Sequence, residues 1–158
     1  MKNFAPWDGK YEHARNQIAG TGEKNKMRFV VDPQTVDEYE ALEPYRRFMR
    51  VLIDGDAFPD APLCMTLVTY PPGAKCPPHL HETAVEVYFV LHGELTATVE
   101  SKGYAVSEGQ LIYIPPGRKH FAENQASKTC RFIAIHVPGV EDVADVKKEW
   151  INVSSQAK

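Results

Sequence analysis

The chain has no long hydrophobic run. Its longest mostly apolar stretches, Leu63 to Tyr70 and Ala84 to Leu91, fall far short of the roughly 20 residues that a membrane helix needs, so no such helix is expected. There is no basic surplus either. Lys and Arg number 18 against 21 Asp and Glu, a net charge of −3, and no stripe of cations stands out. That balance argues against nucleic acid as a partner, because phosphate neutralisation needs an excess of Lys and Arg. Met1 to Lys10 holds a lysine with no apolar segment behind it, so nothing reads as a secretory signal and the expected location is the cytoplasm. Cysteine is scarce. Cys64, Cys76 and Cys130 form an odd set without paired spacing, which fits reduced packing thiols better than a disulfide framework.

What the chain does have is punctuation. Of twelve prolines and ten glycines, eight and six lie beyond residue 60 and cut that part of the sequence into short β-rich pieces: Leu63 to Tyr70, Val85 to Leu91, Leu95 to Val99, Leu111 to Ile114 and Arg131 to Val137. Regular spacing of this kind predicts an all-β sandwich or barrel. In Glu94 to Glu100, Leu95, Ala97 and Val99 alternate with polar residues, the period of a strand with one face on a core and one in water. At 158 residues with 43% hydrophobic composition, one domain is the expected count.

Outside that region the pattern changes. Thr35 followed by Glu38 has the form of a capping box, and Pro44 would stop the helix it starts, so a short helix over Val36 to Glu43 is expected. Phe48 to Ile53 reads as a strand with Met49, Val51 and Ile53 on one face. Residues 1–45 are expected to form an arm laid on a barrel of residues 46–138. Val143, Val146, Lys147 and Trp150 lie at helical spacing, which predicts an amphipathic helix within residues 139–158.

The chemistry-bearing residues fall in two clusters. In the first, Gly73 is followed after five residues by His79, then His81 one residue on, Glu86 after four and Gly93 after six. Residues at i and i+2 of a strand share a face, so the two imidazoles can converge, and Glu86 can reach the same point from the next strand. In the second, Gly109 is followed after five residues by Pro115, then Gly117, His120 after two and Asn124 after three. Pro115 and Gly117 make a tight turn that would return His120 inward on the following strand.

Together the clusters resemble both sequence motifs of the cupin family, with 15 residues between Gly93 and Gly109. The resemblance implies an all-β, antiparallel cupin barrel or jelly roll, carrying here a short N-terminal arm and a C-terminal helix. It also implies that His79, His81, Glu86 and His120 correspond to the family's metal ligands. Three imidazoles and a carboxylate suit one divalent transition metal, Mn, Fe, Co, Ni or Zn, rather than Ca or Mg. Small cupins similar to this chain include dimethylsulfoniopropionate lyases and sugar isomerases, so the expected function is a metal-dependent lyase or isomerase acting on a small oxygenated metabolite. A metal-dependent dioxygenase and a non-catalytic small-molecule binder are the alternatives. In the lyases a tyrosine shortly after the metal-binding glutamate is associated with proton abstraction, which makes Tyr88 the candidate base. A metal a few ångströms away is expected to lower its phenol pKa. His92 is expected at the barrel rim and Cys76 as a non-ligand thiol. Pairing of cupin barrels through the sheet that their N-terminal strands extend makes a homodimer the expected assembly, with Phe48 to Ile53 as the pairing face.

Overall fold

A computed structural model describes residues 30–154. Ten strands and one α-helix follow a 3-10 turn at Pro33–Thr35. The strands are β1 (Glu38–Glu40), β2 (Phe48–Ile53), β3 (Cys64–Tyr70), β4 (Val85–His92), β5 (Glu94–Val99), β6 (Lys102–Ser107), β7 (Leu111–Ile114), β8 (His120–Glu123), β9 (Cys130–Val137) and β10 (Ile151–Asn152), with α1 (Glu141–Glu149) between β9 and β10. Two antiparallel sheets face each other, one in the order β10-β1-β2-β3-β9-β4-β7 and one in the order β6-β5-β8. The segment from Gly73 to His79 runs beside β8 through reciprocal backbone bonds between His79 and His120 and further bonds at Cys76 and Asn124, so it widens the small sheet. This is the all-β architecture expected from the strand pattern, in the jelly-roll form that the family resemblance implies. Among the described residues, no helix is long and apolar enough to cross a membrane.

The main core lies between the sheets, where Val68, Val90, Leu95, Ile114 and Phe132 are almost wholly buried. A second cluster closes one end of the barrel. There Val51 and Cys64 meet Val143 and Val146, the apolar stripe of the helix predicted from its periodicity. An ion pair with one buried partner helps fix α1: the half-buried Lys147 ammonium meets the buried Asp54 carboxylate, with Asp56 a further 3.2 Å contact. Although burial opposes its charge, these two carboxylates raise the Lys147 pKa.

The expected helix over Val36 to Glu43 is not formed. Asp32 caps only the 3-10 turn, through Oδ1 to the Gln34 N–H at 2.9 Å, and Glu38–Glu40 is a strand. An eight-residue helix is marginal on its own, whereas β1 gains ladders to β2 and β10 on both sides. Glu38, which would have closed the capping box, instead faces Arg50 across the ladder and pairs with it at 3.3 Å. The alternation expected in β2 also breaks. A bulge between Val51 and Ile53 leaves both Val51 and Leu52 buried. Met49 and Val51 pack inside against the α1 cluster, so the face expected to pair two chains is interior. The part of the predicted arm before residue 30 lies outside the described residues.

Candidate metal centre

Each sheet brings one directly opposed pair to the barrel interior. In the small sheet His79 faces His120, and in the large one Glu86 on β4 faces His136 on β9. His81, two residues after His79, completes the group. One nitrogen or oxygen from each of His79, His81, Glu86 and His120 lies within 4.8 Å of all the others, so the four residues singled out in the sequence do come together. Ring centroids are 5.1 Å apart for His79 and His81 and 4.4 Å for His79 and His120.

Backbone turns hold this geometry. Gly117 adopts a φ of 73° and its N–H donates to the His81 carbonyl at 2.8 Å, tying the second cluster to the first. Gly93 is constrained twice. Its φ is 80°, and a Cβ there would lie 2.8 Å from the Thr129 carbonyl oxygen. Asn124, fully buried, donates through Nδ2 to the carbonyls of Tyr70 and Lys128 and accepts the Ala126 N–H at Oδ1, so its part is to fasten loops.

The histidine tautomers fit a metal. His79 Nδ1 donates to the Pro77 carbonyl at 2.8 Å and His120 Nδ1 to the Arg118 carbonyl at 2.7 Å, which leaves each neutral ring with an Nε2 lone pair for a ligand. Yet His120 Nε2 lies 2.7 Å from Glu86 Oε2. A lone pair facing a carboxylate at that distance needs a cation between or on them, either a second proton or a metal. The donor set therefore suits a borderline divalent ion. Burial pushes the Glu86 carboxyl up, but hydrogen bonds from His120, His136 and His81 outweigh it and hold the group well below the usual carboxylate range.

His136 was not singled out by the sequence motifs. Its Nε2 donates to Glu86 Oε1 at 2.9 Å, and its ring is 4.8 Å from that of His81. The available signal was strand parity: in Arg131 to Val137, Phe132, Ala134 and His136 share the inward face.

Tyr88 is inside, 4% exposed, with its ring edge-on to Phe132 at 5.2 Å. Burial first, and then the Glu86 charge, pushes its phenol well above the ordinary value. The protein's own field thus opposes the expected phenolate, which would require the charge of the metal. Tyr70 is raised too, chiefly by burial, against a smaller opposing pull from the Arg47 charge. His92 is exposed at the rim beside Glu108 at 3.3 Å. The three cysteines are free and buried; Cys76 Sγ accepts the Ala122 N–H at 3.2 Å, and burial pushes the Cys130 thiol up to about 11.

Above the histidines opens a cavity of about 330 Å³ whose walls come from β2, β3, β4, β9 and α1. Arg47, Val143, Val146 and Trp150 line its outer part. This pairing of a convergent His3Glu group with a cavity joins the sequence motifs to one architecture, and the family profile described as "Cupin domain" matches residues 66–136. Residues 66–136 form a cupin domain. Relatives extend the likeness. The chain is 27% identical over 105 residues to the uncharacterized protein MJ1618 of Methanocaldococcus jannaschii, covering 64% of this chain and 84% of that one. It is 30% identical over 90 residues to the HTH-type transcriptional regulator PuuR of Escherichia coli, 57% of this chain but only 48% of that protein. Among solved structures, the polyketide cyclase RemF from Streptomyces resistomycificus superposes with a TM-score of 0.62 at 26% identity, over 70% of this chain and 80% of that one.

Proposed function

We propose that this cupin is a metal-dependent enzyme acting on a small oxygenated metabolite, of lyase or isomerase type. One observation carries the reading: His79, His81, Glu86 and His120 converge beneath a cavity large enough for a small molecule. A divalent transition ion held by these four residues supplies Lewis-acid polarisation of a substrate oxygen. His136 fixes one oxygen of Glu86, the apolar wall of Val68 and Phe132 excludes water, and Tyr88 offers a hydroxyl beside Glu86 for proton transfer. The test is elemental analysis of untagged protein, expected to give about one metal per chain, followed by a metabolite screen for thermal stabilisation and product formation on the loaded protein. Absence of stoichiometric metal would overturn the reading.

A metal-dependent dioxygenase is the second reading, supported by the room that the cavity above the four residues leaves for a small substrate beside a metal. Oxygen consumption with substrate, and failure under anaerobic conditions, would select that chemistry. Likeness to a regulator supports binding without turnover, whose signature is a ligand-dependent melting shift with no product.

The protein is further proposed to work in the cytoplasm as a homodimer. The outer side of β4 and β7, where Phe89, Leu91, Leu111 and Tyr113 are exposed, is an apolar face suited to a second copy. A mass near that of one chain in light scattering at micromolar concentration would reject the pairing.

A further inference from the structure

Arg47 precedes β2 and is the only Arg or Lys among the cavity-lining residues described. Its guanidinium lies over the Trp150 ring at 4.5 Å, and Nη1 donates to the Tyr45 carbonyl at 2.9 Å. The neighbouring arginines Arg46 and Arg50 are both ion-paired, with Glu40 and Glu38. Arg47 has no carboxylate within ion-pair distance among the described residues. Two acids share the rim: Asp145 is paired with Lys148 at 3.1 Å, and Glu149 is exposed. A planar guanidinium stacked on an indole and held by one carbonyl keeps donors for a bidentate anion.

Deeper in the same cavity, two buried polar atoms lack partners. Thr66 Oγ1, on a residue with no exposed surface, and His136 Nδ1 make no hydrogen bond. Thr66 lies opposite Ala134 on β9, so it and His136 are diagonal neighbours on the inward face. With Nε2 turned to Glu86, His136 Nδ1 faces the cavity as the ring's one unmet hydrogen-bonding atom, which a ligand hydroxyl can meet as donor or acceptor. A buried ring nitrogen beside a hydroxyl is matched by a ligand O–H, and leaving both unmet is unfavourable. Between this polar pair and Arg47 the wall is apolar, with Met49, Val68 and Phe132.

We propose that the cavity recognises a small hydroxylated carboxylic acid, its carboxylate on Arg47 against the Trp150 face and its hydroxyl between Thr66 and His136, beside the His3Glu group. This assignment rests on the small-metabolite reading above and narrows it. The apolar stretch between the two anchors calls for a short hydrocarbon chain joining the two groups. Arg47 is a specificity residue and Thr66 an orienting one; neither is asked to carry chemistry.

The test is calorimetric titration of the metal-loaded protein with ω-hydroxy acids of two to six carbons, their plain-acid counterparts and the matching neutral amides. One or more hydroxy acids should bind at least about tenfold more tightly than its amide, and Arg47→Met should erase that preference. Thr66→Val should erase the advantage of the hydroxy acid over the plain acid while keeping the advantage of acid over amide. Metal content is measured on the same samples. Equal binding of acid and amide, wild-type acid affinity in Arg47→Met, or no saturable binding up to about 10 mM would each overturn the proposal. If the protein holds no metal, the proposed function fails separately, and the acid preference of Arg47 is still read on the metal-free protein.

Discussion

The two ends of the cavity are built in different ways. At its base, residues on neighbouring backbone segments are joined by register: His79 to His120 across the small sheet, Glu86 to His136 across the large one. At its mouth, Arg47, Val143, Val146 and Trp150 meet only because β2 and the C-terminal helix reach the same end of the barrel from opposite ends of the fold. The base is fixed by ladders and buried hydrogen bonds, and the mouth by a half-exposed stack and an apolar seam. A barrel can therefore keep its base and change what enters from above.

The largest expected effect separates the two ends. A His79→Ala and His81→Ala double variant should fall from about one metal per chain to almost none in elemental analysis, because the remaining two ligands cannot hold the ion against water. Changes confined to the mouth should leave metal content untouched. Retention of stoichiometric metal in the double variant would show that the convergent histidines are packing.

Tyr88→Phe comes next. With a substrate in hand, the metal-replete variant should lose about 10²-fold or more in kcat if the hydroxyl moves a proton, the usual scale for such a group. A loss under about threefold assigns Tyr88 to the cavity wall, beside Phe132, and favours the dioxygenase. His136→Ala should be somewhat milder. It removes the partner of Glu86 Oε1 without removing a ligand, and groups of this kind are commonly worth 10- to 100-fold in metal affinity. Competition with a chelator reads it; an affinity within threefold of wild type would leave His136 a packing residue.

The same contrast explains what the sequence disclosed. The base was legible because its residue spacing follows from strand geometry and turns: His79 and His81 two apart, and Gly117 returning the chain toward His120. Six strands and the apolar stripe of α1 were legible for the same local reason. His136 stood outside both clusters, and only its parity in β9 marked it. The expected helix at Val36 to Glu43 failed because its local signal was weaker than a ladder to Arg50 on the next strand and one to Asn152, a partner that lies far away in sequence. Arg47 was invisible as a cavity residue because nothing local states that Trp150 will lie beneath it.

Trp150→Ala tests the mouth alone. The indole packs on the Val51 and Val146 cluster and supports Arg47, but it is only half-buried, so about 2 to 3 kcal/mol of stability should be lost, below the usual cost for a fully buried tryptophan. Metal content should not change. A loss of metal would mean that the two ends are coupled.

The smallest effect has the opposite sign. Thr66 has no exposed surface and its hydroxyl finds no partner, an arrangement that costs about 1 to 3 kcal/mol relative to a satisfied or apolar group. Valine has nearly the same shape, lacks the hydroxyl and favours strands, so Thr66→Val should stabilise the ligand-free protein by about 1 kcal/mol, or roughly 2 to 4 °C in Tm for a domain of this size. A residue that weakens the empty barrel is understandable when its hydroxyl serves a ligand, since stability is commonly traded at binding positions. A lowered Tm would mean that the hydroxyl is already satisfied in solution, and Thr66 would then belong to the packing of β3 against β9.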